Sequence, residues 1–118
     1  MLKVDTFQGI YLHRDNVDLR KSIDGLAAIV EQKMGLDVFG SHLFLFCNRQ
    51  RTKMKVLYWD RTGFALWYKR LEREKFSWPR RHESEAIRID RQQLEWLIEG
   101  YDVWRMKPHE KVNYLQTS

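Results

Sequence analysis

The chain has 118 residues, of which 43% are hydrophobic and 31% are charged, and its formal net charge is +5. This length predicts one domain with a single core, and the apolar content excludes a compositionally disordered chain. The single cysteine, Cys47, excludes an internal disulfide and, inside an apolar run, predicts a buried and inert thiol. No apolar run approaches the roughly 20 residues that span a bilayer, and Asp5 and Gln8 interrupt any signal-peptide pattern, so we expect a cytoplasmic protein without a membrane segment.

The first predicted elements are a strand and a helix. Phe7–His13 contains a β-prone Ile-Tyr-Leu sequence, which predicts a strand. A helix is predicted over about 19–34, because apolar residues recur there at the spacing of one helical face, namely Leu19, Ile23, Leu26, Ala27, Val30 and Met34. Asp18 is the expected N-terminal cap and Gly35 the expected end. Since Gly25 costs about 1 kcal/mol in a helix interior, a start nearer Ser22 is the alternative.

Three short apolar runs then predict an antiparallel meander at 43–68, with strands at Leu43–Cys47, Met54–Trp59 and Phe64–Tyr68. The Asp60–Gly63 connector is typical of a turn. If Trp59 pairs with Phe64, one face is the better candidate for packing against the helix, and it carries Met54, Val56, Tyr58, Ala65 and Trp67. The other face would be apolar near the turn and basic at its far end, as a partner surface requires, and it carries Lys53, Lys55, Leu57, Trp59, Phe64, Leu66, Tyr68 and Arg70. A slip of one residue reverses this assignment.

The last predicted elements are a short strand and a second helix. Ala86–Ile89 predicts the strand, and Asp90 with Gln93 resembles a capping box. An apolar stripe predicts a helix over about 91–100 that ends near Gly100. The predicted fold is therefore α+β: a small single domain, 1–118, in which an antiparallel sheet of three to five strands packs against two main helices. The tail at 106–118 has no clear pattern.

Positive charge is concentrated between Arg49 and Arg81. This segment carries 11 Lys/Arg and 3 Asp/Glu, a balance of +8, whereas the rest of the chain is at −3. The aromatic residues threaded between these charges are Tyr58, Trp59, Phe64, Trp67, Tyr68, Phe76 and Trp78. Cations neutralise phosphates and aromatic rings stack on unpaired bases, so the segment favours a nucleic-acid partner. A solvated basic rim around core aromatics is the competing interpretation.

The sequence offers no recognisable catalytic or metal site. Its histidines, which are His13, His42, His82 and His109, are scattered without a second His or Cys at ligand spacing, and this favours surface positions. A two-metal phosphoryl-transfer site needs several converging carboxylates, whereas Asp60 has no evident partner and is better explained as a turn residue. No glycine-rich phosphate loop or nucleophile elbow is present. We therefore expect no cofactor and no metal, and a small enzyme is the least favoured hypothesis.

Three blocks of the chain resemble a known family. Val17–Val30 reads VDLRKSIDGLAAIV, Leu43–Pro79 reads LFLFCNRQRTKMKVLYWDRTGFALWYKRLEREKFSWP, and Leu94–Asp102 reads LEWLIEGYD. They are similar to the Orf-2-like accessory protein, often called TnpB, of the insertion-sequence-66 family of bacterial transposable elements. The resemblance covers about 17–105. It implies a role in transposition beside a separate, much larger transposase, and it supplies no catalytic residues.

The leading hypothesis is a non-catalytic accessory protein that contacts element DNA or the transposase–DNA complex through segment 49–81. The predicted phosphate contacts are Arg49, Arg51, Lys53 and Lys55, with Arg61 at the opposite end of the hairpin, and Lys69, Arg70, Arg73, Lys75, Arg80 and Arg81 extending the track. Trp59 or Trp78 is predicted to stack on a base or wedge into a base step. The alternative is a protein–protein adaptor or homo-oligomerising scaffold, because Trp, Tyr and Arg are also enriched at interface hot spots.

Overall fold

The computed structural model describes residues 3–79 and 82–105. Its sheet contains five strands, β1 to β5, which span Gly9–His13, His42–Cys47, Lys53–Asp60, Gly63–Arg70 and Ala86–Ile89. Its two α-helices are α1, Ile23–Ile29, and α2, Arg91–Glu99. A π-helical turn, Val30–Met34, extends α1, and short 3₁₀ turns lie at Val4–Thr6 and Val103–Arg105. The α+β class is confirmed, whereas the predicted tail at 106–118 lies outside the described residues.

The sheet is mixed, with the strand order β4-β3-β2-β1-β5. The meander of β2, β3 and β4 is antiparallel as predicted, and β5 also pairs antiparallel to β1. The prediction of an antiparallel sheet was wrong for one pair, because β1 and β2 run parallel. Parallel neighbours need a crossover connection, and the segment that contains α1 provides it. The central strand β2 is therefore buried on both faces, which explains its continuous apolar sequence.

The first helix begins later than its apolar stripe suggested. Ser22 is the N-cap and its hydroxyl accepts a hydrogen bond from the Gly25 amide, so the alternative start is the one observed. Asp18 does not cap the helix, because its carboxylate accepts hydrogen bonds from the Arg20 guanidinium instead. Leu19 precedes the helix but is still buried in the same cluster as Leu26. The predicted end is confirmed at Gly35, which adopts a left-handed conformation with φ of 67°.

The register of the β3–β4 hairpin is confirmed, since Trp59 pairs with Phe64. Both faces of the sheet are covered. Met54 and Val56 pack with Leu94 and Leu97 of α2 in one cluster, so theirs is a core face, but the prediction that it packs against the first helix was wrong. The first helix covers the opposite face, which was expected to serve as a partner surface, and Leu57 is fully buried there in a second cluster that includes Leu26 and Val30. Lys53, at the basic end of that face, remains exposed.

The C-terminal elements match the prediction closely. Asp90 accepts a hydrogen bond from the Gln93 amide at 2.7 Å, and the Gln93 side chain accepts one from the Asp90 amide at 2.9 Å. This reciprocal capping box starts α2. Gly100 ends α2 in a left-handed conformation with φ of 86°. In the part of the chain that the structure describes, no helix has both the length and the apolar character that a membrane crossing demands.

Candidate nucleic-acid interface

The loop between β2 and β3 is held in one shape by Asn48. Its side-chain oxygen accepts hydrogen bonds from the amides of Thr52 and Lys53, at 2.9 and 3.0 Å, and its amide group donates to the Thr52 hydroxyl. Arg51 adopts a left-handed conformation with φ of 62°, and its carbonyl accepts a hydrogen bond from the Phe76 amide. Because these contacts fix the loop backbone, Arg49 projects from a preorganised tip, where it is exposed.

Four side chains form a block on the basic end of the sheet. Lys53 lies opposite Arg70, and Lys55 lies opposite Tyr68, in the β3–β4 ladder. Directly opposed residues of an antiparallel pair share a face, and residues two apart on one strand share it too. The sequence placed these four residues on one face, and the observed register confirms that placement.

The segment Asn16–Arg20 forms the other wall of a groove beside this block. The Val17 amide donates to the Cys47 carbonyl at 2.9 Å, which holds the segment against the end of β2. The Lys55 ammonium donates to the Leu19 carbonyl at 2.6 Å, which joins the segment to β3. The resulting basic groove has a volume of about 840 Å³ and is lined by Asn16, Val17, Asp18, Leu19, Arg20, Asn48, Arg49, Gln50, Lys53, Lys55 and Tyr68.

The charges in the basic groove are mostly positive and mostly uncompensated. Arg20 is paired with Asp18 at 2.7 Å, and that pairing lowers the pKa of the Asp18 carboxyl well below its ordinary value. Arg49 and Lys53 form no ion pair among residues 3–79 and 82–105. Lys55 is committed to a carbonyl oxygen, which does not neutralise its charge. The groove therefore presents a cationic surface to which an anion can add without breaking an existing ion pair at Arg49 or Lys53.

The other predicted phosphate contacts do not lie in this groove. Arg61 is at the opposite end of β3, a strand of 8 residues, which separates it from Lys53 by roughly 25 Å. Lys69 faces α2 and donates to the Ile98 carbonyl at 3.0 Å. Arg70 pairs with Glu72 at 2.8 Å.

The remaining predicted contacts fall on other surfaces. Arg51 and Lys75 line a second depression, whose other members include Trp78 and Asp102. Arg73 is exposed in the segment after β4. Arg80 and Arg81 lie outside the described residues. The predicted track of cations is therefore split between surfaces that point in different directions.

Neither predicted tryptophan lines the basic groove. Trp78 is only 4% exposed, and its indole N–H donates to the His13 carbonyl at 2.8 Å, so the prediction that it stacks on a base is incompatible with this fold. Trp59 is half-buried near the β3–β4 turn, where it packs edge-on against Phe39 and Phe64. The aromatic ring at the groove is Tyr68, which is 49% exposed.

The sequence interpretation did not identify Tyr68, Arg20 or Asn48 as site residues. The sequence analysis placed Tyr68 on the correct face, opposite Lys55. This position could have identified Tyr68 as a groove residue. Arg20 lies in the segment that the predicted helix was expected to cover, and only the later helix start at Ser22 leaves it free to line the groove. Asn48 is a loop-ordering residue whose role depends on contacts with Thr52 and Lys53.

Two smaller predictions have opposite outcomes. Cys47 is buried as predicted, and burial raises the pKa of its thiol to about 12, so the nucleophilic thiolate is scarce at neutral pH. The expectation that the histidines lie on the surface was wrong for His13, which is 5% exposed. His13 ends β1 on the face that carries Phe46, and burial lowers the pKa of its imidazole.

Comparison with known proteins assigns the chain to a family. The family described as "IS66 Orf2 like protein" matches residues 8–108. A relative from Sinorhizobium fredii (strain NBRC 101917 / NGR234), named "Uncharacterized protein y4hO", is 34% identical over 96 residues, which cover 81% of this chain and 82% of the relative. A second relative from the same strain, "Uncharacterized protein y4jC", is 30% identical over 91 residues, which cover 77% of each chain. No solved structure matches significantly. The chain belongs to the IS66 Orf2-like family, which is associated with transposition.

Proposed function

We propose that this protein is a non-catalytic accessory factor in the transposition of an insertion-sequence element and that it contacts DNA through the basic groove. Family membership supports the link to transposition. The observation that carries the DNA contact is the groove itself, where Arg49 and Lys53 are exposed without an ion pair in the described part of the chain, beside the half-exposed ring of Tyr68.

The groove suits a phosphate backbone better than a single small anion. Its cations come from separate elements: Arg20 precedes α1, Arg49 is at a loop tip, and Lys53 and Lys55 follow one another along β3. Such a spread of point charges neutralises several phosphates and releases their counterions, which supplies affinity without reading base identity. The Tyr68 ring adds a surface on which an unpaired base can stack. Specificity for an element end would then come from the transposase, which we propose as the second partner.

A protein–protein adaptor or homo-oligomerising scaffold is the alternative function. Phe39 is 55% exposed and packs with Trp59 and Phe64 at the end of the hairpin away from the basic groove. The strand β4 is at the edge of the sheet, where its outer hydrogen-bonding groups can pair with another chain. These features supply a surface for the transposase or for a second copy of this protein.

The double variant Arg49→Ala/Lys53→Ala tests the proposed DNA contact. Both side chains are exposed and neither holds the loop backbone, so the fold should persist. On duplex DNA, each lost phosphate contact should lower the slope of log affinity against log salt by about 0.9, or about 1.8 for both. The loss should be similar for element-end DNA and unrelated DNA. Fluorescence anisotropy at several salt concentrations measures it.

The matched control is Arg73→Ala/Lys75→Ala, which removes the same charge from the same basic segment outside the groove. This control should keep most of the wild-type slope. An equal loss in both variants would mean that overall charge, and not the groove, attracts DNA. If the wild-type protein does not bind DNA but co-purifies with the transposase, the adaptor function replaces the proposal.

A further inference from the structure

His13 presents a buried polar group without a partner. The residue is 5% exposed at the end of β1, and neither Nδ1 nor Nε2 of its ring makes a hydrogen bond of good geometry among the described residues, although the Asp15 backbone lies close to the ring. An unpaired buried polar group is unfavourable, and native structures satisfy the great majority of them with protein, water or an ion. The imidazole is therefore available to bind a water molecule or an ion.

Two carboxylates lie beside this imidazole. One ligand atom each from His13, Asp15 and Glu85 can be chosen so that all three lie within 4.8 Å of one another. Glu85 Oε2 is also buried without a hydrogen-bond partner in the described part of the chain. Two independent unsatisfied groups, one nitrogen and one oxygen, thus belong to the same small cluster.

The backbone holds this cluster together. His13 pairs with Ala86 in the ladder between β1 and β5, which places Glu85 at the same end of the sheet. The Arg14 amide also donates to the Glu85 carbonyl at 2.9 Å. Asp15 is the second residue after β1, in the bend that follows the strand. The pairing of β1 with β5, extended by the Arg14–Glu85 hydrogen bond, therefore holds the residues of the cluster close together.

Arg14 is the cation already present at this cluster. Its guanidinium contacts both Asp15 oxygens, at 2.9 and 3.1 Å, and donates to the His82 carbonyl at 2.8 Å. It lies 4.0 Å from Glu85 Oε1. A carboxylate oxygen has two lone pairs, so an Asp15 oxygen that accepts from Arg14 can still bind a cation. Arg14 does not hydrogen-bond to the His13 ring nitrogens or to Glu85 Oε2.

We propose that His13, Asp15 and Glu85 form a binding site for a divalent transition-metal ion of the Zn²⁺ class, with water completing the coordination. One imidazole nitrogen with two carboxylate oxygens is a ligand set that Zn²⁺ accepts, whereas Mg²⁺ prefers oxygen ligands alone. Tetrahedral ligation at about 2.1 Å places ligand atoms about 3.4 Å apart, so separations of up to 4.8 Å must shorten by about 1.4 Å or less. The bound ion would satisfy one ring nitrogen of His13 and one carboxylate oxygen of Glu85 together.

The site differs in kind from the proposed DNA contact, although the two are neighbours in sequence. Asp15 is followed directly by Asn16, the first residue of the groove wall. An ion held by Asp15 and by the β1–β5 pair would anchor the start of that wall. Metal binding does not depend on the groove binding DNA, so each can be tested alone.

Zn²⁺ titration of the full chain tests the site, with untagged protein that has been stripped with a chelator. Isothermal calorimetry should show one Zn²⁺ per chain, and the melting temperature should rise with Zn²⁺ but not with equimolar Mg²⁺. Asp15→Asn and Glu85→Gln should each weaken Zn²⁺ binding by about tenfold or more. In NMR spectra, the His13 ring nitrogens should shift when Zn²⁺ is added.

The matched control is Glu83→Gln, an exposed carboxylate two residues from Glu85 that is not in the cluster. It should bind Zn²⁺ like the wild type. The side chains of Asp15 and Glu85 are partly exposed, so the fold should tolerate Asp15→Asn and Glu85→Gln. Replacement of the buried His13, which is the substitution more prone to unfold the protein, is therefore not needed for the test. Unchanged Zn²⁺ affinity in Asp15→Asn and Glu85→Gln, equal binding of Mg²⁺, or no Zn²⁺ binding at all would overturn the proposal.

Discussion

Tyr68 and Trp78 show how the environment decides what an aromatic side chain can do. Both residues lie in the same basic, aromatic-rich segment of the sequence. Trp78 is buried, with its N–H bonded to the His13 carbonyl, so it ties the chain after β4 to the end of β1. Tyr68 extends from an edge strand and remains half exposed beside Lys55. Residue type alone favoured tryptophan for base stacking, whereas of these two residues only Tyr68 has an exposed ring.

Replacing Tyr68 should affect single-stranded DNA binding according to the ring that remains. Tyr68→Ala should weaken binding by about 5- to 150-fold, since stacking of one base on an aromatic ring contributes about 1–3 kcal/mol. Tyr68→Phe keeps the ring and should retain most of the affinity. Anisotropy titrations with a labelled oligonucleotide compare the two variants. If Tyr68→Ala binds like Tyr68→Phe, the ring does not stack on DNA.

At the scale of the elements, two short helices each cover one face of the sheet. Leu26 of α1 and Leu97 of α2 are fully buried in different clusters. Both helices are short, α1 with 7 residues and α2 with 9, so their stability depends on packing against the sheet and on their caps. The caps are Ser22 for α1 and the Asp90–Gln93 box for α2.

Leu26→Ala and Leu97→Ala should each lower the free energy of unfolding by about 2–5 kcal/mol, through lost burial and the cavity that remains. The loss at both sites would show that both helices are docked in solution. Glu31→Ala, at an exposed position beyond α1, is the control and should be nearly neutral. Urea titration followed by circular dichroism measures the changes. A neutral Leu97→Ala variant would show that α2 does not pack on the sheet.

Asp90→Ala should cost about 0.5–2 kcal/mol, because it removes the side-chain acceptor for the Gln93 amide and opens the capping box. Glu99→Ala, at an exposed position near the other end of the same helix, should cost less than about 0.5 kcal/mol. The two variants are compared by the same denaturant titration. Equal effects would mean that the box contributes no more than an ordinary surface side chain.

For the whole molecule, the central strand β2 contributes residues to both hydrophobic clusters. Its Cys47 can therefore serve as a probe of whether this strand opens. The thiol is buried, and burial raises its pKa to about 12, so both access and ionisation oppose its reaction. We expect a disulfide reagent to label Cys47 at least about 1000-fold more slowly in the folded protein than in denaturant, since labelling requires opening of the domain.

A Ser41→Cys variant provides an exposed thiol just before β2 as the control. It should gain one fast-reacting group while Cys47 stays protected. Absorbance of the released thiol measures both rates. Fast labelling of Cys47 in the native wild type would show that β2 opens locally, without unfolding of the whole sheet.

Local sequence patterns determined much of this protein's architecture. The Asp60–Gly63 turn indicated a hairpin in which Trp59 pairs with Phe64, and the observed register agrees. Asp90 with Gln93, and glycines at 35 and 100, marked helix boundaries through capping chemistry that involves only neighbouring residues. The ordered match of the blocks at 17–30, 43–79 and 94–102 also identified the family, which the comparison confirmed.

Contacts between distant residues decided the rest. The parallel pairing of β1 with β2 and the burial of Leu57 under α1 depend on how the crossover packs, which no local period reports. The basic groove exists because residues 16–20 lie against β3. The same arrangement makes Tyr68 one of the residues that line it. Glu85 reaches His13 only through the β1–β5 ladder. The groove and the proposed ligand set are assembled from residues far apart in sequence, so spacing along the chain predicted neither. Helix caps and hairpin turns involve neighbouring residues, so the sequence could predict them.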